Sequence, residues 1–321
     1  MSVAAVFASH SPLKDYHEPG DGINQRVHHC LSEIRRAVSK FDPDLVIAIG
    51  PDHFNGFFYR LMPSFCIGTA LESVGDWATP PGPVKVASND AEQCVVSLNQ
   101  QNVDVSLSHR MDVDHGFTQV MTQLFDWQTM PPVLPVFVNC AAPPLPPLKR
   151  VMALGTGIGK YVGDEIAGQG RRVLFVASGG LSHDPPIPRL DTAPAPVKER
   201  LIAGGTLSPE ARQQRQEKVL NDANKQLAGV SEQRDLNPIW DKQFLDMLSE
   251  ARFNTLAAQS EAQITEDAGC GGHEIRTWIA ARCALDYLNK EKPNINFYEA
   301  ITAWVAGFGV ATCGLGVTEK F

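Results

Sequence analysis

Three histidines in this sequence stand directly after short apolar runs, where an imidazole can do metal or proton chemistry. His10 follows "VAAVFAS" (3–9), His53 closes "PDLVIAIGPDH" (43–53), and His183 follows "RVLFVAS" (172–178) across the turn "GGLSH". A neutral imidazole is the commonest metal ligand. Its ordinary pKa near 6.5 also lets it give or take a proton at neutral pH. A fourth histidine, His115 in "RMDVDHGF", is expected in a loop just before a glycine. Taken singly, a histidine is more often a satisfied core or surface residue than a functional one. The coincidence at three strand ends is what carries weight.

Carboxylates stand near these turns: Asp52, Asp114, Asp184 and Glu274, the last preceded by His273. Two histidines and one carboxylate with open positions suit non-haem Fe(II) that activates oxygen. The same donors suit catalytic zinc, and spacing alone does not choose between them. His17, His28, His29 and His109 fit no comparable pattern, and His28 and His29 read as helix-surface positions. The glycine-rich "GTGIGKYVG" (155–163) lies inside a helical pattern and is a weak phosphate-loop signal.

The elements that must present these residues follow from periodicity. The runs at 3–9, 43–53, 133–140 and 172–178 are short, β-branched and apolar throughout, as strands buried on both faces are. Between the first two, residues 23–41 carry Ile23, Val27, Leu31, Ile34 and Val38 at steps of three and four, the stripe of an amphipathic helix. Strand, helix, strand at this spacing predicts a βαβ unit and a parallel pair. Further helices are expected over 147–167, 208–230, 237–259 and 273–288, and a last strand within 304–317. Ser208 before Pro209 and Glu210 is a helix-start signature. The fold class is therefore α/β: a central, largely parallel or mixed sheet flanked by helices, in one domain over 1–321. A charged, histidine-free helical cover around 195–265 is expected to lie apart from the reactive centre. In an open parallel sheet ligands bind beyond the carboxyl ends of the strands, so His10, His53 and His183 should meet at one edge.

Composition narrows the class. The 321 residues are 43% hydrophobic and 20% charged, enough for a sizeable core. A net charge of −8 and a pI near 5.6 argue against a nucleic-acid partner. The seven cysteines form no C-x-x-C pair and are odd in number, which suits free thiols in a reducing compartment. The start "MSVAAVFASH" lacks a basic segment and is too short for a signal peptide, and no uncharged apolar run is long enough to span a membrane. A cytoplasmic protein with no membrane partner is expected.

Five segments, "ASHSPL", "GPDHFNGFF", "DVDHGF", "ASGGLSHDPP" and "GGHEIRTWIAA", together resemble the type II (LigB-like) extradiol ring-cleavage dioxygenases over residues 8–281. Within that family they are most similar to the enzymes that open 3-(2,3-dihydroxyphenyl)propionate. The resemblance implies a mononuclear Fe(II) held by His10, His53 and Glu274, with His115 as proton donor and His183 as proton acceptor. It implies a catecholic substrate, O2 as co-substrate, and a homo-oligomer, tetramer or larger. The implied product is 2-hydroxy-6-oxonona-2,4-diene-1,9-dioate, formed by opening the ring beside rather than between the hydroxylated carbons.

Other readings compete. A zinc-dependent hydrolase could use the same ligands, and iron content and oxygen consumption separate the two. A non-enzymatic binding protein would have no need of the acid–base pair His115 and His183. Within the family, another catechol or an aminophenol could be the substrate. A propionate tail calls for an arginine or lysine, and no spacing singles one out of the 28.

Overall fold

A computed structural model describes residues 2–321. The described residues form eleven strands: β1 (Ser2–Ala8), β2 (Leu45–Gly50), β3 (Phe65–Gly68), β4 (Leu71–Ser73), β5 (Gly82–Val84), β6 (Ser106–Ser108), β7 (Met111–Val113), β8 (Val133–Val138), β9 (Arg172–Ser178), β10 (Asn294–Ile301) and β11 (Ala306–Cys313). Eight of them make one sheet in the order β10-β11-β1-β9-β2-β8-β3-β6. Its centre, β1-β9-β2-β8, is parallel, while β11 and β3 run antiparallel to that centre on either side. The sheet is thus mixed around a parallel core. A second sheet of three short strands, β5-β4-β7, stands apart.

The helices are α1 (Ile23–Phe41), α2 (Ser88–Gln100), α3 (His115–Leu124), α4 (Leu148–Tyr161), α5 (Ala195–Ala203), α6 (Pro209–Leu227), α7 (Pro238–Glu250), α8 (Glu261–Ala268) and α9 (Ile275–Leu288). They cover both faces of the main sheet, which is why its central strands are apolar along their interiors, with polar residues only at the ends (Ser2, Arg172 and Ser178). Along β1, Ala5 and Phe7 pack with residues of α2, α4 and α9, whereas Ala4, Val6 and Ala8 pack with α1 and α3. The alternation is the two-residue period of a strand, each face finding its own helical layer. Each large side chain buried this way contributes about 1.5–3 kcal/mol. Helix α6 starts at the expected cap, with Ser208 Oγ accepting from the Ala211 amide. Among the described residues, no helix is long and apolar enough to cross a membrane.

Two expectations change. The βαβ unit does join parallel strands, but β1 and β2 are not neighbours, because β9 lies between them and pairs with both. A crossover helix dictates strand direction and not adjacency, so a strand from far along the chain can occupy the slot. His115 is not in a loop: it is the first residue of α3, with Asp114 as the cap accepting from the Gly116 amide.

The glycines of "GTGIGKYVG" serve packing. Helix α4 lies so close to α9 that a methyl on Gly155 would sit 2.1 Å from the Ala280 carbonyl oxygen. Gly155→Ala is therefore expected to destabilise the protein by about 1–3 kcal/mol through overpacking. That exceeds the gain of about 1 kcal/mol in helix propensity. Gly168→Ala, with nothing within 4 Å of the added methyl, should change stability by less than about 0.5 kcal/mol. Urea unfolding curves of the two variants check the contrast.

Candidate active site

The strand order β1-β9-β2 brings together three turns that are far apart in sequence. Ala8 is level with Ser178, and Ala177 with Ile49, so the three parallel strands end side by side. His10, His183 and His53 leave those ends in that lateral order. His10 and His53 have ring centres 5.5 Å apart. His115 joins them from α3, with its ring centre 5.6 Å from that of His10 and stacked on His53 at 4.7 Å.

The Glu274 carboxylate lies at the middle of this group, only 3% exposed. It ends a 3-10 turn, Gly271–Glu274, that leads into α9, whose Ile275, Trp278 and Ile279 are fully buried. Its Oε1 is 3.0 Å from His53 Nε2 and 3.7 Å from His183 Nε2. Its Oε2 is 3.6 Å from His10 Nε2 and accepts from the Gly180 amide at 2.7 Å. Burial alone would raise this carboxyl, but the imidazoles of His10, His183 and His53 outweigh it and hold it well below the usual carboxylate range. Burial lowers the His53 ring too, yet Asp114 and Glu274 outweigh it and raise the ring well above its ordinary value. His10 goes the other way: burial pushes it down to about 3, and repulsion by the other three imidazoles adds to this against the pull of Glu274. The approach is tight. A methyl on Gly271 would meet His183 Nε2 at 2.1 Å, and one on Gly180 would meet its ring at 2.4 Å.

The family model described as the catalytic LigB subunit of aromatic ring-opening dioxygenase matches residues 4–309. This chain is a member of that family. Among its relatives is a 2,3-dihydroxyphenylpropionate/2,3-dihydroxicinnamic acid 1,2-dioxygenase of Mycolicibacterium smegmatis, 43% identical over 97% of this chain and 98% of the relative. Relatives of the same name occur in Rhodococcus jostii, 40% identical over 97% and 98% of the two chains, and in Photorhabdus laumondii, 38% identical over 97% of each.

This dioxygenase has a donor set that fits a metal. His10 Nδ1 lies 3.1 Å from Ser178 Oγ, whose own hydroxyl donates to the Gly116 carbonyl, so Nδ1–H is the donor and Nε2 keeps its lone pair. His53 Nδ1 is 3.2 Å from Asp114 Oδ2, which likewise leaves Nε2 free to ligate. Both Nε2 atoms face the one buried carboxylate, the arrangement that outer hydrogen bonds impose on metal-binding histidines. The nitrogens of His10, His53 and His115 also lie within 4.8 Å of one another. However, His115 stacks on His53 with an interplanar angle of 14°, which directs their lone pairs side by side rather than to one point.

The rival carboxylates of the dioxygenase have other tasks. Asp114 accepts from the His53 and Gly116 amides and from Asn55 Nδ2. Asp52 accepts from the amides of Asn55, Gly56 and Phe57. Asp184 accepts from the amides of Cys270 and Arg234. His273 has both nitrogens engaged, Nδ1 with Arg276 Nη1 at 2.7 Å and Nε2 with Thr265 Oγ1 at 2.8 Å, and burial and then Arg276 push it down to about 3. His28, His29 and His109 are exposed.

Asp76 is a partner that sequence reasoning missed. It accepts from the His115 amide at 2.7 Å and lies 2.6 Å from His115 Nδ1. Strands β4 and β7 are parallel neighbours, and Asp76 and His115 follow their ends. No sequence signal links these residues, because the link is made by the small sheet. The site opens into a cavity of about 680 Å³ lined by Leu13, Pro185, Ile187 and Trp304 and by residues of α5 and α6. The helical cover thus forms part of the site and does not lie apart from it. Helices without histidines still reach the centre through long arginines.

Glu274→Ala is expected to lose bound metal, whereas His273→Ala keeps it, as metal analysis of purified protein will read. The carboxylates of Asp114 and Glu274 that raise the His53 ring favour a proton on the nitrogen where a metal would bind, so the two compete. Affinity should therefore rise with pH, and each binding event should release a proton. Calorimetry in buffers of different ionisation enthalpy measures that release, and a buffer-independent heat would contradict it.

Proposed function

We propose that this dioxygenase opens 3-(2,3-dihydroxyphenyl)propionate with O2 to 2-hydroxy-6-oxonona-2,4-diene-1,9-dioate, using Fe(II) held by His10, His53 and Glu274. The substrate named for relatives at 38–43% identity supports the choice of catechol. The observation that supports the metal assignment is the convergence of the His10 and His53 Nε2 atoms on one buried carboxylate. When bound there, Fe(II) supplies the electron transfer between an electron-rich catechol and O2.

The chain's own residues divide the proton work, and the groups behind the two rings support the division. His183 Nδ1 donates to the Leu181 carbonyl at 3.0 Å, which leaves Nε2, 3.7 Å from Glu274 Oε1 at the cavity lining, with a lone pair to accept a proton. His183 is the proposed acceptor of a catechol proton. Behind His115 stands the Asp76 carboxylate, which ties down Nδ1–H and turns Nε2 to the cavity. A carboxylate-backed imidazole is suited to carrying a proton to a leaving oxygen, the role proposed for His115. The ring bond between the side-chain-bearing carbon and the adjacent hydroxylated carbon breaks. These carbons become a ketone and a carboxylate, with both atoms of O2 in the product. The apolar walls hold the ring and exclude water from it.

We place the enzyme in the cytoplasm, as one domain over 1–321 in a homo-oligomer. All seven cysteines are free thiols, as a reducing compartment keeps them. Light scattering of the purified protein reads the number of subunits.

Anaerobically purified protein loaded with Fe(II) should consume one O2 per catechol and yield the yellow ring-opened product. Zinc-loaded protein should do neither, and activity in a zinc-only preparation would refute the iron assignment. His115→Gln and His183→Gln should each keep iron and lose about 10²–10⁴-fold in kcat. Loss of iron from a folded His115→Gln protein would make that residue a ligand instead.

A further inference from the structure

The catalytic cavity holds an imidazole cluster at its head and, on its covered side, three guanidinium groups with no acidic partner: Arg212, which donates to the Val74 carbonyl, and Arg200 and Arg215, which reach the loop of His53. Arg215, on α6, donates from Nη2 to the His53 carbonyl at 2.6 Å and from Nη1 to Asn55 Oδ1 at 3.4 Å. Arg200, on α5, donates from Nη2 to the Phe54 carbonyl at 2.9 Å, and its guanidinium carbon lies 5.6 Å from the centre of the Phe58 ring. Arg200 Nε is buried with no hydrogen-bond partner. Three successive residues of the loop that presents His53 thus anchor both cations, and every anchoring oxygen is neutral. Both arginines line the cavity and are partly buried.

The acidic groups around them are engaged elsewhere. Asp52 is held by three amides, Asp76 by His115, Asp184 by two amides, and Asp222 lies 3.7 Å from Lys225. Burial, followed by the nearby charge of Arg215, makes the charged form of Arg200 less favourable than in water, against a weaker pull from Asp52. Two half-buried cations near each other, with no carboxylate hydrogen-bonded to either, are an unfavourable arrangement that an anion would relieve. The remaining guanidinium N–H groups match the planar, two-oxygen geometry of a carboxylate. Leu13, Pro185, Ile187 and Trp304, which also line the cavity, are apolar and suit a ring.

A ligand fitting all three features carries a diol for the metal end, an aromatic body and a carboxylate on a short arm. We propose that Arg200 and Arg215 together clamp the side-chain carboxylate of the substrate and set the preference for acidic over neutral catechols. The proposal rests on the extradiol reading above and adds the group that recognises the tail. It assigns a substrate-binding role to helices whose sequence shows only a charged, amphipathic surface.

The test compares 3-(2,3-dihydroxyphenyl)propionate with 3-propylcatechol, in which a methyl group replaces the carboxylate, by oxygen uptake of the Fe(II)-loaded enzyme. The wild type should favour the acid in kcat/KM. A hydrogen-bonded charge lost from such a site weakens binding roughly ten- to hundredfold. Arg200→Met and Arg215→Met should each lower the acid-to-neutral ratio by about that factor, mainly through KM for the acid, and Arg200→Lys should recover part of it. Turnover of 3-propylcatechol reports that each variant is folded and metal-loaded. An unchanged ratio in both variants overturns the clamp. So does an equal loss on both substrates, which would mean that the arginines only brace the 53–55 loop. A wild type that opens neither catechol defeats the extradiol reading itself, and the clamp with it, a result distinct from the other two.

Discussion

One buried carboxylate organises this protein. Glu274 is almost fully enclosed, and an ion so placed is costly by several kcal/mol unless charges and donors surround it. The chain provides them from every direction: the Gly180 amide at 2.7 Å, His53 at 3.0 Å, and His10 and His183 slightly farther out. Three parallel strands, a 3-10 turn and the start of α9 must all end at one point for this to work. The close packing of α4 on α9 and the glycines beside His183 are consequences of the same demand for proximity.

Around that centre, acidic side chains hold backbone. Asp52, Asp114 and Asp184 each accept from amides of the loops that carry His53, His115 and Cys270. Asp241 is buried too, and accepts from the Ser182 amide and hydroxyl and from Tyr298, pinning the turn just before His183. Each bond satisfies a polar group that would otherwise be stranded away from water. Together they brace the turns beyond the strand ends that carry His53 and His183 and the capped start of α3 that carries His115. Precision of this kind matters for proton transfer, which requires hydrogen-bond reach between ring and substrate.

The site is asymmetric in composition. The sheet side brings imidazoles and carboxylates on short, well-braced turns, and the cover brings flexible cationic side chains from helices. α5 and α6 are charged and only partly buried, so they contribute little to the core and much to the cavity wall. Reactive groups stand on the rigid part of the fold, and groups facing the variable part of a ligand stand on the more loosely packed part.

Much of this was legible in the sequence because it is local. A strand buried on both faces must be apolar at every position, so "VAAVFAS", "LVIAIG" and "RVLFVAS" declare themselves, and His10, His53 and His183 are found by looking just past them. Spacing also marked α1, the cap of α6 and the helix after Glu274. Motifs in order along the chain were enough to suggest the family to which it belongs. What they could not supply is adjacency between distant segments. That β9 separates β1 from β2 depends on sheet order, which no periodicity encodes. That Asp76 backs His115 depends on the pairing of β4 with β7. That Arg200 and Arg215 lean over the His53 loop depends on how the cover closes. Side-chain period reports which face of an element is buried. Which partner buries it, and which charge ends beside which, is decided only when the whole chain competes for the same interior, and that is settled in the tertiary structure alone.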